Sequence, residues 1–146
     1  MSRLLPLAFL VVAVACKAQG PAMHSPTPDA INGAVRVETV AEGLVQPWGI
    51  AMLPDGRMLV TEKPGRLRLV AHDGKLSEPL TGVPDVAAGG QGGLLDVTLD
   101  PAFATNRMVY VSFSEPGPGG TSGTSVAKGR LGATGLEDVQ DRRAHV

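Results

Sequence analysis

The chain has 146 residues, with 13 basic and 14 acidic side chains, a formal net charge of −1 and no long run of either sign. It lacks the electrostatic footprint of a nucleic-acid binder, so nucleic acid is not expected among its partners. Nineteen glycines and twelve prolines favour short strands joined by turns over long helices, and the single cysteine, Cys16, excludes an internal disulfide framework.

Met1 to Ala15 combines Arg3, the apolar run "LLPLAFLVVAVA" and small residues ahead of Cys16. That is the pattern of an export signal, and the run is shorter than the roughly 20 apolar residues of a membrane-spanning helix. "AVAC" resembles the bacterial lipoprotein box, although Ala13 stands where leucine is usual. Residues 1–16 are therefore read as a signal peptide with Cys16 as candidate lipidation site and membrane attachment point. The alternative is plain cleavage after the A-x-A of Ala13 to Ala15, which leaves a free thiol. Either route exports the protein, to the periplasm or cell envelope. Residues 17–33, "KAQGPAMHSPTPDAING", hold three prolines and no apolar periodicity. They read as a flexible tether in which His24 is solvated.

The folded part is expected over 34–140. In "AVRVETVAEGL", Val35, Val37 and Val40 among polar residues predict a first strand. Gly49 to Leu53 is the next apolar run, closed by the turn "PDG" at Pro54 to Gly56. Arg57 to Glu62 follows, then the turn "KPG" at Lys63 to Gly65. "RLRLV" alternates with the period of 2 of a half-buried strand, and "HDG" at His72 to Gly74 ends it. The outcome is an antiparallel meander of three strands; a loop-rich domain with one hairpin is the simpler alternative.

"GIAMLPDGRMLVTE" (Gly49 to Glu62) and "LDVTLDPAFATNRMVYVSFSE" (Leu95 to Glu115) share an apolar run, a proline beside an aspartate, a basic-Met-apolar step and a polar-acid ending. Pro54 and Pro101 are 47 residues apart, a blade-length period for a β-propeller. Beyond Glu115, "PGPGGTSGT" is expected as a surface loop, "SVAKGRL" as a short strand, and "GATGLEDVQ" as a turn. The tail at 141–146, "DRRAHV", carries no strand pattern. The fold class is all-β, a partial propeller of about two blades. Two blades leave sheet edges open, whereas propellers close a ring.

"GGQGG", from Gly89 to Gly93, lacks the lysine of a P-loop and precedes a strand-like segment instead of the helix of a dinucleotide fingerprint. Its glycines are read as conformational, admitting positive φ and close backbone approach. Taken alone, Gln91 is a solvated amide. Trp48, the only tryptophan, is expected to pack between blades. Asp100 before Pro101 is expected in a turn. Glu62 and Glu115 occupy equivalent repeat positions. His24, His72 and His145 are scattered over tether, turn and tail, so no histidine metal site is expected.

The strings "VAEGLVQPWGIAMLPDGRMLVTEKPGRLRLV", "GGQGGLLDVTLDPAFATNRMVYVSFSE" and "GLEDVQ" resemble, in order and spacing, the exported pyrroloquinoline quinone (PQQ)-dependent sugar dehydrogenases of the glucose/sorbosone type, over roughly Val37 to Gln140. The resemblance implies a six-bladed propeller that holds PQQ with calcium at the top of its channel. It implies hydride transfer from the anomeric carbon of an aldose to PQQ, a histidine base, and delivery of electrons to an external acceptor. Gln91 matches a pocket glutamine that contacts the sugar, with Gly90 and Gly92 as pocket backbone. The family's base lies in a "GxxHxG"-like stretch beyond "LEDVQ", which His145 does not match. Its cofactor-binding arginines, lysine and calcium loop also lie downstream. The expectation is the N-terminal part of such an enzyme, inactive as this chain. A non-catalytic propeller lipoprotein and a frameshifted gene fragment are the alternatives.

Overall fold

In the computed structural model, residues 36–143 are described. The chain divides into two units, Met1–Val37 and Glu38–Val146, and every element below belongs to the second. The signal peptide, Cys16, the tether with His24, and His145 lie outside the described residues.

Turn chemistry builds the first sheet. Strands β1 (Pro47–Met52), β2 (Met58–Glu62) and β3 (Arg66–Val70) form an antiparallel meander in the order β1-β2-β3. At the first turn Gly56 takes φ 82° and donates to the Leu53 carbonyl at 2.9 Å. Strand β2 is central and is buried from Leu59 to Glu62.

The second sheet has four antiparallel strands in chain order: β4 (Leu94–Leu99), β5 (Met108–Pro116), β6 (Ser122–Leu131) and β7 (Leu136–Arg143). A one-turn helix, α1 (Phe103–Asn106), fills the insertion in the turn of the second repeat, which the first repeat lacks. Asp100 fixes it as the expected turn residue. Its carboxylate accepts from Ala102 N at 2.8 Å, Asn106 Nδ2 at 3.0 Å and the Tyr110 hydroxyl at 3.0 Å. Along β5, Val109, Val111 and Phe113 are buried at every second position and stand opposite Gly129, Ala127 and Ser125 of β6. On β4 the buried residues Leu94 and Val97 are three apart. A register shift between them restores the inward face, since they pair with Phe113 and Val111.

Both sheets share one core, in which Leu53, Leu59, Leu67 and Leu80 join Leu94, Val97, Val111 and Phe113. Where β1 and β2 meet β4, the Thr61 hydroxyl donates to the Leu95 carbonyl at 2.5 Å and accepts the Gly49 N–H at 2.8 Å. The connection from β3 to β4 runs out along the second sheet, pairing Thr81 with Gly135. It returns to β5, where Ala87 N donates to the Ser114 carbonyl at 2.8 Å.

Three expectations are corrected. Residues 36–44 form no strand: Val37 and Val40 are three apart, so they share no face of a period-2 strand, and the first strand starts at Pro47. "GATGLEDVQ" turns only over Gly132 to Gly135, where Gly132 N donates to the Gly135 carbonyl at 2.8 Å; from Leu136 it is strand, and the tail is not strandless, because Leu136–Arg143 pairs with β6 and takes in Asp141 to Arg143. It is an edge strand, exposed from Glu137 to Asp141, and edges tolerate charge. Strand β6 is longer than expected and starts inside the presumed loop, at Ser122.

Candidate functional site

Gly89 to Gly92 form a tight two-residue turn: Gly92 N donates to the Gly89 carbonyl at 2.7 Å, and Gly89 N to the Gly92 carbonyl at 3.3 Å. At its tip Gly90 adopts φ 53°, a left-handed conformation that glycine takes without strain, and Gln91 beside it is exposed. The turn passes directly into β4. Its stem is bonded to β5, with Gly93 N donating to Ser114 Oγ at 3.2 Å and Ser114 N to the Gly93 carbonyl at 2.9 Å. A methyl group on residue 93 would lie 2.5 Å from both the carbonyl oxygen and Cγ of Lys63, and one on residue 92 would lie 2.9 Å from Ser114 Oγ. Gly90 on one side and Gly92 on the other thus carry Gln91 in a turn held against both sheets.

Lys63 is the link to the first sheet. Its ammonium donates to the Gly90 carbonyl, its own carbonyl accepts Leu94 N at 3.0 Å, and its N–H donates to the Gln46 carbonyl at 3.0 Å. The ammonium lies 6.0 Å from the centroid of the Trp48 ring, at the outer limit of a cation–π contact. Trp48 is 52% exposed, so its expected packing between blades is not seen among the described residues. In the sequence Lys63 is only the first residue of the turn "KPG". Nothing local in "KPG" reveals a partner 27 positions away.

Behind Lys63, the side chain of Glu62 is fully buried. Its carboxylate accepts Val45 N at 2.5 Å and Arg66 Nε at 2.6 Å, with the Arg68 guanidinium at 3.6 Å. Burial pushes this carboxyl up. The Arg66 and Val45 hydrogen bonds and the charges of Arg66 and Arg68 outweigh it, holding Glu62 below its ordinary value. Glu115, expected at the equivalent repeat position, is not there: Phe113 pairs with Leu94 as Glu62 pairs with Pro47, and Glu115, two residues on, stands half-buried and accepts the Ser125 hydroxyl at 2.6 Å. It helps line a cavity of about 460 Å³ with Asp85, Phe113, Val139 and Asp141, a cavity whose lining does not include Gln91.

His72 lies in the turn after β3 and is exposed, as expected. Among the described residues, no group of three or more His, Cys, Asp or Glu side chains could hold a metal ion. What the turn offers chemically is one exposed carboxamide, able to donate and to accept, on a stem with little freedom to move.

The family model described as Glucose / Sorbosone dehydrogenase matches residues 44–143. The curated "Aldose sugar dehydrogenase YliI" of Escherichia coli K12 is 48% identical over 115 residues, which make up 78% of this chain and 31% of that protein. Among solved structures, a glucose dehydrogenase aligns with a TM-score of 0.69 at 50% identity, over 71% of this chain and 33% of its own. The PQQ-bound form of an aldose sugar dehydrogenase from Streptomyces coelicolor aligns with a TM-score of 0.62 at 31% identity, over 72% of this chain and 32% of its own. The chain thus spans about a third of the length of these relatives. Both sheets and the Gln91 turn lie within the matched span, and the chain belongs to the glucose/sorbosone dehydrogenase family, as a partial β-propeller.

Proposed function

We propose that the chain is the N-terminal part of an exported, PQQ-dependent aldose dehydrogenase that oxidises the anomeric carbon of a sugar to a lactone and passes the electrons to an external acceptor. The observation that carries this reading is the exposed Gln91 at the tip of a turn fixed to both sheets. A carboxamide both donates and accepts hydrogen bonds, which suits a sugar hydroxyl, and a fixed stem means that little order has to be imposed when the sugar binds. In this role Gln91 binds and orients the sugar, while Gly90 and Gly92 let the backbone come close.

PQQ, when bound, would supply the two-electron acceptor. The residues at the turn suit a contact at the edge of such a group but do not suffice to grip it. PQQ carries several carboxylates, and the one cation at the turn, Lys63, is bonded to Gly90. No step through PQQ or calcium is therefore derived from these residues. The proton-accepting base and the basic cofactor clamp are assigned to the part of the relatives' length that the chain does not span.

The test is dye reduction with glucose after reconstitution with PQQ and calcium, for the 146-residue chain beside a form extended to the length of its relatives. Activity in the extended form and none in the short one is expected. Turnover by the short chain would overturn the placement of the base, and inactivity of both would favour a binding or scaffold role. Cys16 is proposed as the lipid anchor in the cell envelope. Palmitate labelling that persists in Cys16→Ser would refute it.

A further inference from the structure

We infer that Lys63 is the positioning residue for Gln91, gripping the Gly89–Gly93 turn at both ends and so fixing where the carboxamide stands. The inference rests on the pocket role proposed for Gln91 above.

Four of the five residues of this turn are glycine, the residue that loses most freedom on folding. Internally the turn is closed only by the reciprocal bonds of Gly89 and Gly92, at 2.7 and 3.3 Å. It therefore needs fasteners from outside. At the stem these are Ser114, through its hydroxyl and N–H, and the Lys63 carbonyl, which accepts Leu94 N. At the tip the fastener is the Lys63 ammonium on the Gly90 carbonyl, one bond away from the Gln91 nitrogen. A single residue thus holds the loop on both sides of Gln91.

Lys63 is itself poorly free to move. Its N–H is bonded to Gln46, and it follows the buried Glu62, whose carbonyl accepts Gly65 N at 2.9 Å. Residue 93 has to be glycine for Lys63 to lie this close. A hydrogen bond from an ammonium is stronger than one between neutral groups, although this one is exposed to solvent. Lys63 acts on the sugar through Gln91.

The experiment has two arms. In the 146-residue chain, amide exchange is measured for Lys63→Met, which keeps the stem and removes the charge, and for Lys63→Arg. Lys63→Met is expected to speed exchange of Gly92 N–H about tenfold while core amides of β5 keep their protection, and Lys63→Arg is expected to restore it. Lys63→Gln replaces the methionine variant if β5 also loses protection. In the extended enzyme, Lys63→Met is expected to raise the KM for glucose several-fold, and to add nothing in a Gln91→Ala background. Gly92 exchange within about twofold of the parent overturns the grip. Additive effects of Lys63→Met and Gln91→Ala overturn the positioning role in favour of direct contact with the ligand. If Gln91→Ala leaves KM unchanged, the pocket reading fails, and the exchange arm still decides whether Lys63 holds the turn.

Discussion

Glu62→Gln removes one charge from a carboxylate that is bonded to Val45 N and Arg66 Nε, with Arg68 nearby. A hydrogen bond to a charged group contributes about 1.5–3 kcal/mol, and breaking a buried ion pair costs about 3–5 kcal/mol. Glutamine keeps an acceptor for Val45, and the Arg66 side chain, 34% exposed, can rehydrate. The loss therefore falls toward the low end, at about 2–3 kcal/mol, or about 10–20 °C in Tm for a domain near 100 residues. The assay is urea unfolding followed by fluorescence of Trp48, the only tryptophan, at neutral and acid pH. The folded carboxyl titrates below its ordinary value. Its contribution is thus complete above the unfolded carboxyl pKa, about 4.3, and is lost as pH falls through the lowered folded value. The gap between parent and variant should close in acid. A loss below about 0.5 kcal/mol at neutral pH, or a gap that persists in acid, would refute the assignment of Glu62 as the charged pin of the first sheet.

Phe113→Ala, at a core position 1% exposed, should cost about 3–5 kcal/mol in the same unfolding assay. Gly93→Ala pushes a methyl group into Lys63 and should cost about 1–3 kcal/mol, with faster amide exchange in the Gln91 turn. Tyr110 donates its hydroxyl proton to Asp100, which raises the phenol above its ordinary value, while hydrogen bonds from Ala102 N, Asn106 and Tyr110 hold the Asp100 carboxyl below its own. Because Tyr110 is the only tyrosine, tyrosinate absorbance should show Asp100→Asn bringing its titration to lower pH.

Where turns are written by proline and glycine, the sequence predicts strands to within a residue or two. "PDG" and "KPG" bracket β2, expected from Arg57 and observed from Met58, and "RLRLV" is β3 in full. Strand β7 was not legible, because its strand state comes from pairing with β6 and its residues are charged as an edge allows. The repeat aligned Glu62 with Glu115, but the register does not: Glu62 stands opposite Pro47, and the residue in the same place of the second sheet, opposite Leu94, is Phe113. The pocket role proposed for Gln91 comes from the family motif alone, since a glutamine among glycines is by itself an ordinary surface amide. The Lys63 contact depends on two sheets meeting, and no window of the sequence contains both partners.

Strand β1 has a further consequence, for recovery of the protein from denaturant. It is the outer strand of its sheet, and Trp48, Ile50 and Met52 are each more than half exposed. An unpaired ladder edge flanked by apolar side chains is a template for another chain, so refolding becomes a race between closing β1 onto β2 and adding a strand from a neighbour. The first process is independent of concentration and the second is not. Yield should therefore fall as the protein is concentrated, and a lysine at position 50 should flatten that dependence while leaving the core untouched.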